Sequence, residues 1–505
     1  MRTQKIGPGA MILFAMMLAL VACGESNNDA DENGDTGDSA TDDTESDTAD
    51  TSSETADTGS DTGTDTGTDT ETESETTARD SETDDTDTDT GTDTDTGTKE
   101  ADAILLKSEL ARDTNPAPGD EMLAQLVAAN SAFAMDVYEK LQEGNSDNLF
   151  FSPLSLSTGM AMSYAGARST TESQMAATLH WDAFSQEDLH KGLNRLLLTL
   201  QSRATPQSSE DDSGFELSIF NSFWGQKDFP FHDSYLDLLG VNYGAGIWTV
   251  NFENDINTSI ATINDWVAEQ TQDKIQNVLN PAEIDPPILA VLVNAIYFKA
   301  AWNLPFDESE TTQQPFNLLS GTTVNADTMA IAEHFSYGKG DGYEAVALEY
   351  DGEDVDMVMI VPDAGTFESF EDNLDADKLN NILDGMASRY STWVTLTVPR
   401  FHIGSKWEMT GIFEALGMEV PFGTDADFSG MSDTFLRIKK IVHQTDISVD
   451  EAGTEAAAAT VIVDGNGDAD YATLNLDRPF LFLIRDQPTD TILFMGRVTD
   501  PSVQD

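Results

Sequence analysis

The stretch whose residue types and spacing come nearest to a chemical site is Asp464-Gly-Asn466-Gly-Asp468-Ala-Asp470. Its side-chain oxygens recur at positions one, three, five and seven, as a calcium loop requires. Position six is Ala469, where the sharp turn needs Gly, and position twelve is Asn475, where a bidentate Glu would complete the shell. No metal site is therefore expected, and the segment reads as a solvated, protease-accessible loop. Covalent chemistry has no constellation either. The chain lacks a Gly-x-Ser-x-Gly elbow and a His-Glu-x-x-His helix, its six histidines are scattered, and its single cysteine is Cys23. Neither an enzyme nor a bound cofactor is expected, and Gly338-Lys-Gly-Asp-Gly342 reads as a turn, not a phosphate cradle.

The segment leading into that loop is less ordinary. Ile447–Val449 and Thr460–Val463 are β-branched and strand-like, and they flank an Ala-rich run opened by Gly453. Thr454–Thr460 favours a helix by propensity, yet it leads into β-formers and has no large apolar side chain. At period two, Thr454, Ala456, Ala458, Thr460 and Ile462 share one face and Glu455 lies on the other. Such a segment can enter a sheet without adding much volume or burying a charge. A surface helix and an insertable strand both fit its composition.

The surrounding elements must hold that segment. Leu126, Phe133, Val137 and Leu141 recur at helical spacing, predicting a first amphipathic helix that ends near Gly144. Ser152-Pro153 predicts a helix start with proline at the first helical position. Leu289–Phe298, Ala345–Tyr350, Met357–Val361, Trp393–Val398 and Ile438–Val442 read as strands. Pro479–Ile484 and Thr491–Val498 are dense apolar runs, expected as two buried strands joined by a turn at Asp486–Asp490. Short helices alternating with β-rich runs predict a mixed α+β domain.

Glu451-Ala-Gly-Thr-Glu-Ala-Ala-Ala-Ala-Thr460 closely resembles the reactive-loop hinge of the serpins. Leu476-Asp-Arg-Pro-Phe-Leu-Phe-Leu-Ile484 and Phe494-Met-Gly-Arg497 resemble that family's C-terminal strands. Asn148-Leu-Phe-Phe-Ser-Pro-Leu-Ser155, Tyr164-Ala-Gly-Ala-Arg168, Val293-Asn-Ala-Ile-Tyr-Phe-Lys299 with Trp302, Ala415-Leu-Gly-Met418 and Asp427-Phe-Ser-Gly430 follow in serpin order and spacing. The resemblance implies three β-sheets, eight to nine helices and an exposed reactive-centre loop. It also implies a hinge formed by Glu451, Gly453, Thr454, Glu455, Ala456, Ala457, Ala458, Ala459 and Thr460. The shutter residues implied are Ser152, Ser155, Asn294 and His443, with Trp302 at the top of the seam where the central sheet opens. His443 is expected to hydrogen-bond across that seam and to do no chemistry.

The activity implied is suicide-substrate inhibition of a serine, or papain-like cysteine, endopeptidase that becomes trapped as a covalent acyl complex. Counting forward from Gly453 places the specificity residue at Gly467, and counting back from Pro479 places it at Asp468, so the reactive bond falls within Gly467-Asp468-Ala469. Gly467 suits an elastase- or subtilisin-like enzyme, and Asp468 an acid-specific one. The absence of basic residues there argues against a trypsin-like target. Asp464 shares the parity of Thr454 and Ile462, and burying an unpaired carboxylate is costly. Insertion therefore stops short of it, leaves it at a solvated end, or starts from a bond nearer Val463. The competing class is a non-inhibitory serpin-fold surface protein used for binding or adhesion.

The first 115 residues are of another kind. Residues 1–22 read as a lipoprotein signal: Arg2 and Lys5 are basic, Ala10–Ala22 is apolar but too short to span a bilayer, and Leu20-Val-Ala-Cys23 resembles a lipobox. Cys23 is the expected lipidation site, giving a membrane-anchored lipoprotein of the outer membrane, cell surface or extracellular space. Residues 23–115 are built from Asp, Thr, Ser, Glu and Gly, and are expected to be a disordered acidic tether, since almost nothing there can be buried. The serpin-like domain is then expected over 116–505. Ninety-two acidic residues against 25 basic give a formal net charge of −67, which leaves no reservoir for nucleic-acid binding. A monomer is expected.

Overall fold

Continuous apolar runs build the central strands, as in β-strands covered on both faces, and helices pack over them. The computed structural model describes residues 2–5, 103–203, 216–283, 290–386, 392–454 and 470–503. Met1–Ile12 and Lys99–Asp505 form one unit, and Leu13–Thr98 a second whose residues lie outside those described. Cys23, Glu455–Thr460, Asp464 and Gly467–Ala469 also lie outside the described residues.

The strands in chain order are β1 (Arg2–Lys5), β2 (Ile104–Lys107), β3 (Leu149–Phe151), β4 (Glu216–Gln226), β5 (Ile247–Val250) and β6 (Ala290–Ala301). Then come β7 (Thr312–Asn317), β8 (Thr323–Gly340), β9 (Tyr343–Glu349), β10 (Val355–Pro362), β11 (Thr392–Pro399) and β12 (Phe401–Glu408). The last are β13 (Lys440–Val449), β14 (Gly453–Thr454), β15 (Asp470–Asn475), β16 (Phe480–Asp486) and β17 (Thr491–Val498). The main sheet runs β1-β2-β5-β4-β6-β14-β13-β12, with β6 also paired directly to β13. The long strand β8 belongs to two further sheets: Thr323–Phe335 pairs with β7 and β11, and Ser336–Gly340 pairs with β9. Beyond β9 the order is β10-β16-β17-β3, while β15 lies parallel to β11 at the opposite edge.

Nine α-helices are present among the described residues. The first, Asp120–Gln142, buries Leu126, Phe133, Val137 and Leu141, and carries Asp120 and Glu121 in its first turn and Lys140 in its last, as its dipole favours. The helix Pro153–Tyr164 begins where Ser152 accepts from the Ser155 amide. It is buried throughout, behind the main sheet. On the opposite face, Ile260, Ile263 and Val267 of the helix Ile256–Gln270 share a cluster with Val291, Val293, Ala295 and Val442. Between the sheets, Phe150 stacks on Phe482 and Phe494 at 5.7 and 5.1 Å.

Two expectations need correction. Starting the domain at residue 116 is too late. β2 pairs antiparallel with β5 from Ile104↔Thr249 to Leu106↔Ile247, and Asp113 N–H donates to the Val241 carbonyl at 2.8 Å. The apolar run Ile104-Leu-Leu was hidden in the sequence by the acidic stretch before it. Also, Gly338 and Gly340 lie within β8, and the turn is confined to Asp341-Gly342.

Candidate functional site

The parallel strands β6 and β13 are paired only in part, from Lys440↔Val291 to Thr445↔Ile296. Above that they diverge, and β14 occupies the fork. Gly453 pairs with Ala301, and Thr454 pairs with Ala300 on one side and Val449 on the other, all antiparallel. Gly453 has φ +146°, and a Cβ there would lie 2.2 Å from the Ala300 carbonyl oxygen, so only glycine fits. The reversal from β13 is closed by Asp450 N–H donating to the Gly453 carbonyl at 3.0 Å and Ala452 N–H donating to Asp450 Oδ1 at 3.0 Å.

Thr454 is fully buried, and its hydroxyl lies 2.9 Å from the Tyr350 phenol oxygen. Trp302 stacks on Tyr350 with centroids 4.5 Å apart and planes 12° from parallel. Its indole N–H donates to the Asp450 carbonyl at 2.9 Å, and its amide donates to Ala452 at 2.9 Å. Trp302 therefore caps the fork.

Glu451 points away from the fork and is tied down. Arg400 Nε donates to both its carboxylate oxygens at 2.9 and 2.7 Å, Arg400 Nη2 lies 2.6 Å from Oε2, and the Thr311 hydroxyl donates as well. Burial pushes the Glu451 carboxyl up, but the Arg400 guanidinium and the Thr311 hydroxyl outweigh it and hold it below the usual range. The adjacent Asp450 is held above it by burial.

The lower seam is polar and buried. Ser152 N–H donates to His443 Nε2 at 3.0 Å, and Ser152 Oγ donates to the Leu493 carbonyl at 2.6 Å. Asn294 stands opposite His443 in register, but its amide donates elsewhere, to Asn221 Oδ1 at 2.6 Å and the Ser155 carbonyl at 3.2 Å. Ser155 Oγ donates to Asn221 Oδ1 at 3.1 Å. Gly159 makes room, since a Cβ there would lie 2.2 Å from Asn294 Nδ2. Burial lowers the His443 pKa to about 3, so the imidazole is neutral and accepts through Nε2. His443 Nδ1, Asn294 Oδ1 and Gln444 Oε1 are buried without a hydrogen-bond partner.

The structure thus brings Ser152, Ser155, Asn294 and His443 together at the seam and Trp302, Glu451, Gly453 and Thr454 at the fork above it. Tyr350, Arg400, Asn221 and Gly159 were missed. Tyr350 follows β9, Arg400 lies between β11 and β12, Asn221 is on β4 and Gly159 in a helix interior, and each looks like a common structural residue until its partner is known. The undescribed residues 455–469 join Thr454 at the fork to Asp470 at the edge of the β11 sheet. Among the described residues no group of His, Cys, Asp or Glu side chains could hold a metal.

Residues 128–501 match the family model Serpin (serine protease inhibitor). An uncharacterized serpin-like protein of Methanosarcina mazei is 30% identical over 80% of this chain and 94% of its own length. Leukocyte elastase inhibitor of Sus scrofa is 34% identical, over 75% of this chain and all of that one. Among solved structures, that of a thermophilic serpin, tengpin, in the native state superposes with a TM-score of 0.67 at 27% identity, covering 78% of this chain and 97% of the other.

Proposed function

Because this chain belongs to the serpin family, a family of protease inhibitors, we propose that it is a suicide-substrate inhibitor of a serine endopeptidase. Residues 455–469 serve as bait. The protease nucleophile bonds to the scissile carbonyl carbon, the peptide bond breaks, and the new amine leaves with the C-terminal piece. The acylated hinge then runs down between β6 and β13, exchanging their direct pairing for two antiparallel ladders. The energy comes from the hydrogen bonds and burial gained by the added strand.

One observation carries this reading: Thr454 is already paired to both β6 and β13 at the fork. The next residues need only continue the register, and Ala456–Ala459 offer no bulk to resist. The small Gly467 and the similarity to leukocyte elastase inhibitor support a target with a small, tolerant specificity pocket. We further propose that the signal ending at Cys23 makes the chain a surface lipoprotein, with its acidic N-terminal segment as spacer. Globomycin treatment of the native host should then leave the unprocessed precursor, and unchanged processing would contradict the lipid anchor. For inhibition, incubation with elastase- and subtilisin-type enzymes should give a denaturation-resistant conjugate, and cleavage without conjugate would refute it.

A further inference from the structure

Residues 455–469, proposed above as bait, end at Asp470, where β15 joins the β11 sheet as its edge strand. Period two fixes which way β15 faces. Leu474 and Leu476 are buried, so Tyr471 and Thr473, of the opposite parity, point to solvent. Tyr471 is 78% exposed, the most of any large apolar side chain among the described residues. Register extends this face over two more strands. Tyr471 pairs with Trp393, and Trp393 with His334, so an aromatic row crosses β15, β11 and β8. Trp393 and His334 are half-buried and meet edge to face, with centroids 5.1 Å apart and planes at 85°. They fix the base of the row, and Tyr471 stands exposed at its end.

The next row on the same face is Thr473, Thr395 and Ala332, all exposed. Neither row contains Asp, Glu, Lys or Arg, in a chain with 92 acidic and 25 basic residues. Interface cores are depleted of charge and enriched in aromatic side chains, with Tyr and Trp prominent among the anchors. This face has both features. Its position supplies the occupant. Tyr471 follows Gly467 by four residues and Asp468 by three. At no more than about 3.6 Å per residue, an enzyme closed on the bait bond is within about 15 Å of Tyr471, inside the area a protease–inhibitor contact covers.

We propose that the uncharged face headed by Tyr471 and Trp393 is a second docking surface for the protease drawn to the bait. It selects enzymes with an apolar, uncharged rim beside the leaving-group side of the cleft. The proposal rests on the reading of residues 455–469 as bait. Tyr471 is the anchor, and Trp393 with Thr395 carries the contact beyond the segment that is cut. The face sets how fast the bait is engaged and leaves the later partition between conjugate and cleaved chain unchanged.

The test uses the full chain with subtilisin and elastase and reads the second-order rate of bait cleavage. That rate is defined whether or not a conjugate follows, so absence of conjugate would count against inhibition and leave this test standing. Tyr471→Ala should slow cutting about 5- to 30-fold, the weight of an aromatic anchor, and Tyr471→Phe should keep the wild-type rate. Thr395→Asp, outside the bait, should also slow it several-fold by placing a charge on the face. Where conjugate forms, its ratio to cleaved chain should not change. Wild-type cutting of Tyr471→Ala by both enzymes, slowing by Tyr471→Ala but not by Thr395→Asp, or no bait cleavage at all would each overturn the proposal. So would self-association of the full chain that Tyr471→Ala abolishes at an unchanged cutting rate, since the occupant is then a second copy.

Discussion

The Thr454 hydroxyl and the Tyr350 phenol meet at 2.9 Å inside the fork between β6 and β13. This contact joins the start of the loop to the sheet it is proposed to enter. Tyr350 is in turn stacked beneath Trp302, so the hinge, the cap and the strand β6 behave as one packed unit.

Tyr350→Phe should leave the Thr454 hydroxyl buried without a partner, at a cost of about 1–2 kcal/mol. The Thr454 amide should then exchange hydrogen roughly 5- to 30-fold faster. Unchanged protection at Thr454 would show that the contact does not hold the hinge.

Thr454→Arg places a charge at a fully buried position, where an unpaired ion is prohibitively desolvated. The loop should still be cut, but complex formation should fall at least 10-fold and the cleaved chain should gain no heat stability. Full inhibition by this variant would rule out insertion through the fork.

Glu451→Gln breaks a carboxylate–guanidinium pair in which Glu451 is 3% exposed and Arg400 is 42% exposed. The loss should be about 2–3 kcal/mol, below the figure for a fully buried pair because Arg400 is partly solvated. The Glu451 carboxyl is held below its ordinary pKa, so its contribution is present above the unfolded-state pKa near 4.5 and is lost as pH falls through the folded-state value. Urea melts at pH 7 should show the loss. Equal stability of variant and wild type at pH 7 would contradict it.

His443 and His190 are both held neutral, with pKa values lowered to about 3 by burial. Between the unfolded value near 6.5 and that lowered value, the unfolded chain binds protons that the native chain refuses. Each histidine should therefore remove about 1.4 kcal/mol of stability per pH unit as pH falls through this window. Protonated His443 would also lose the bond it accepts from the Ser152 amide. Denaturant melts between pH 7 and 5 should show a slope reduced by about half in His443→Gln. A stability independent of pH in this window would exclude the account.

Truncation locates the true start of the domain. A chain beginning at residue 116 loses the β2–β5 pairing and the Asp113–Val241 hydrogen bond, each lost bond being worth about 1 kcal/mol. A chain beginning at residue 101 keeps β2 on β5 and should melt several degrees above one beginning at 116. Equal melting of the two truncated forms would restore the later boundary.

Much of this architecture was legible because its signals are local. Thr491–Val498 is fully buried over the very residues whose apolar run predicts a strand, and the Ser152-Pro153 start holds to the residue. Ser152, Ser155, Asn294, His443 and Trp302, which the structure brings to the seam and the fork, were singled out through the resemblance to serpins. The Thr454–Tyr350 contact was not, because it joins positions 104 residues apart and neither residue type announces a partner. Composition misled at the edge, where Ile104–Lys107 is too short to stand out after a long acidic stretch but becomes a strand once β5 supplies its ladder, and at Gly338–Gly340, which continue β8.

The most direct test of the central claim is to incubate the full chain with elastase and subtilisin and analyse the products by denaturing gel and mass spectrometry. The account predicts an adduct at the summed mass of the protease and the N-terminal fragment, a released C-terminal peptide beginning near Gly467-Asp468-Ala469, and a cleaved form more heat-stable than the intact one. Loop cleavage by active, unbound protease, with no adduct and no gain in melting temperature, would contradict it.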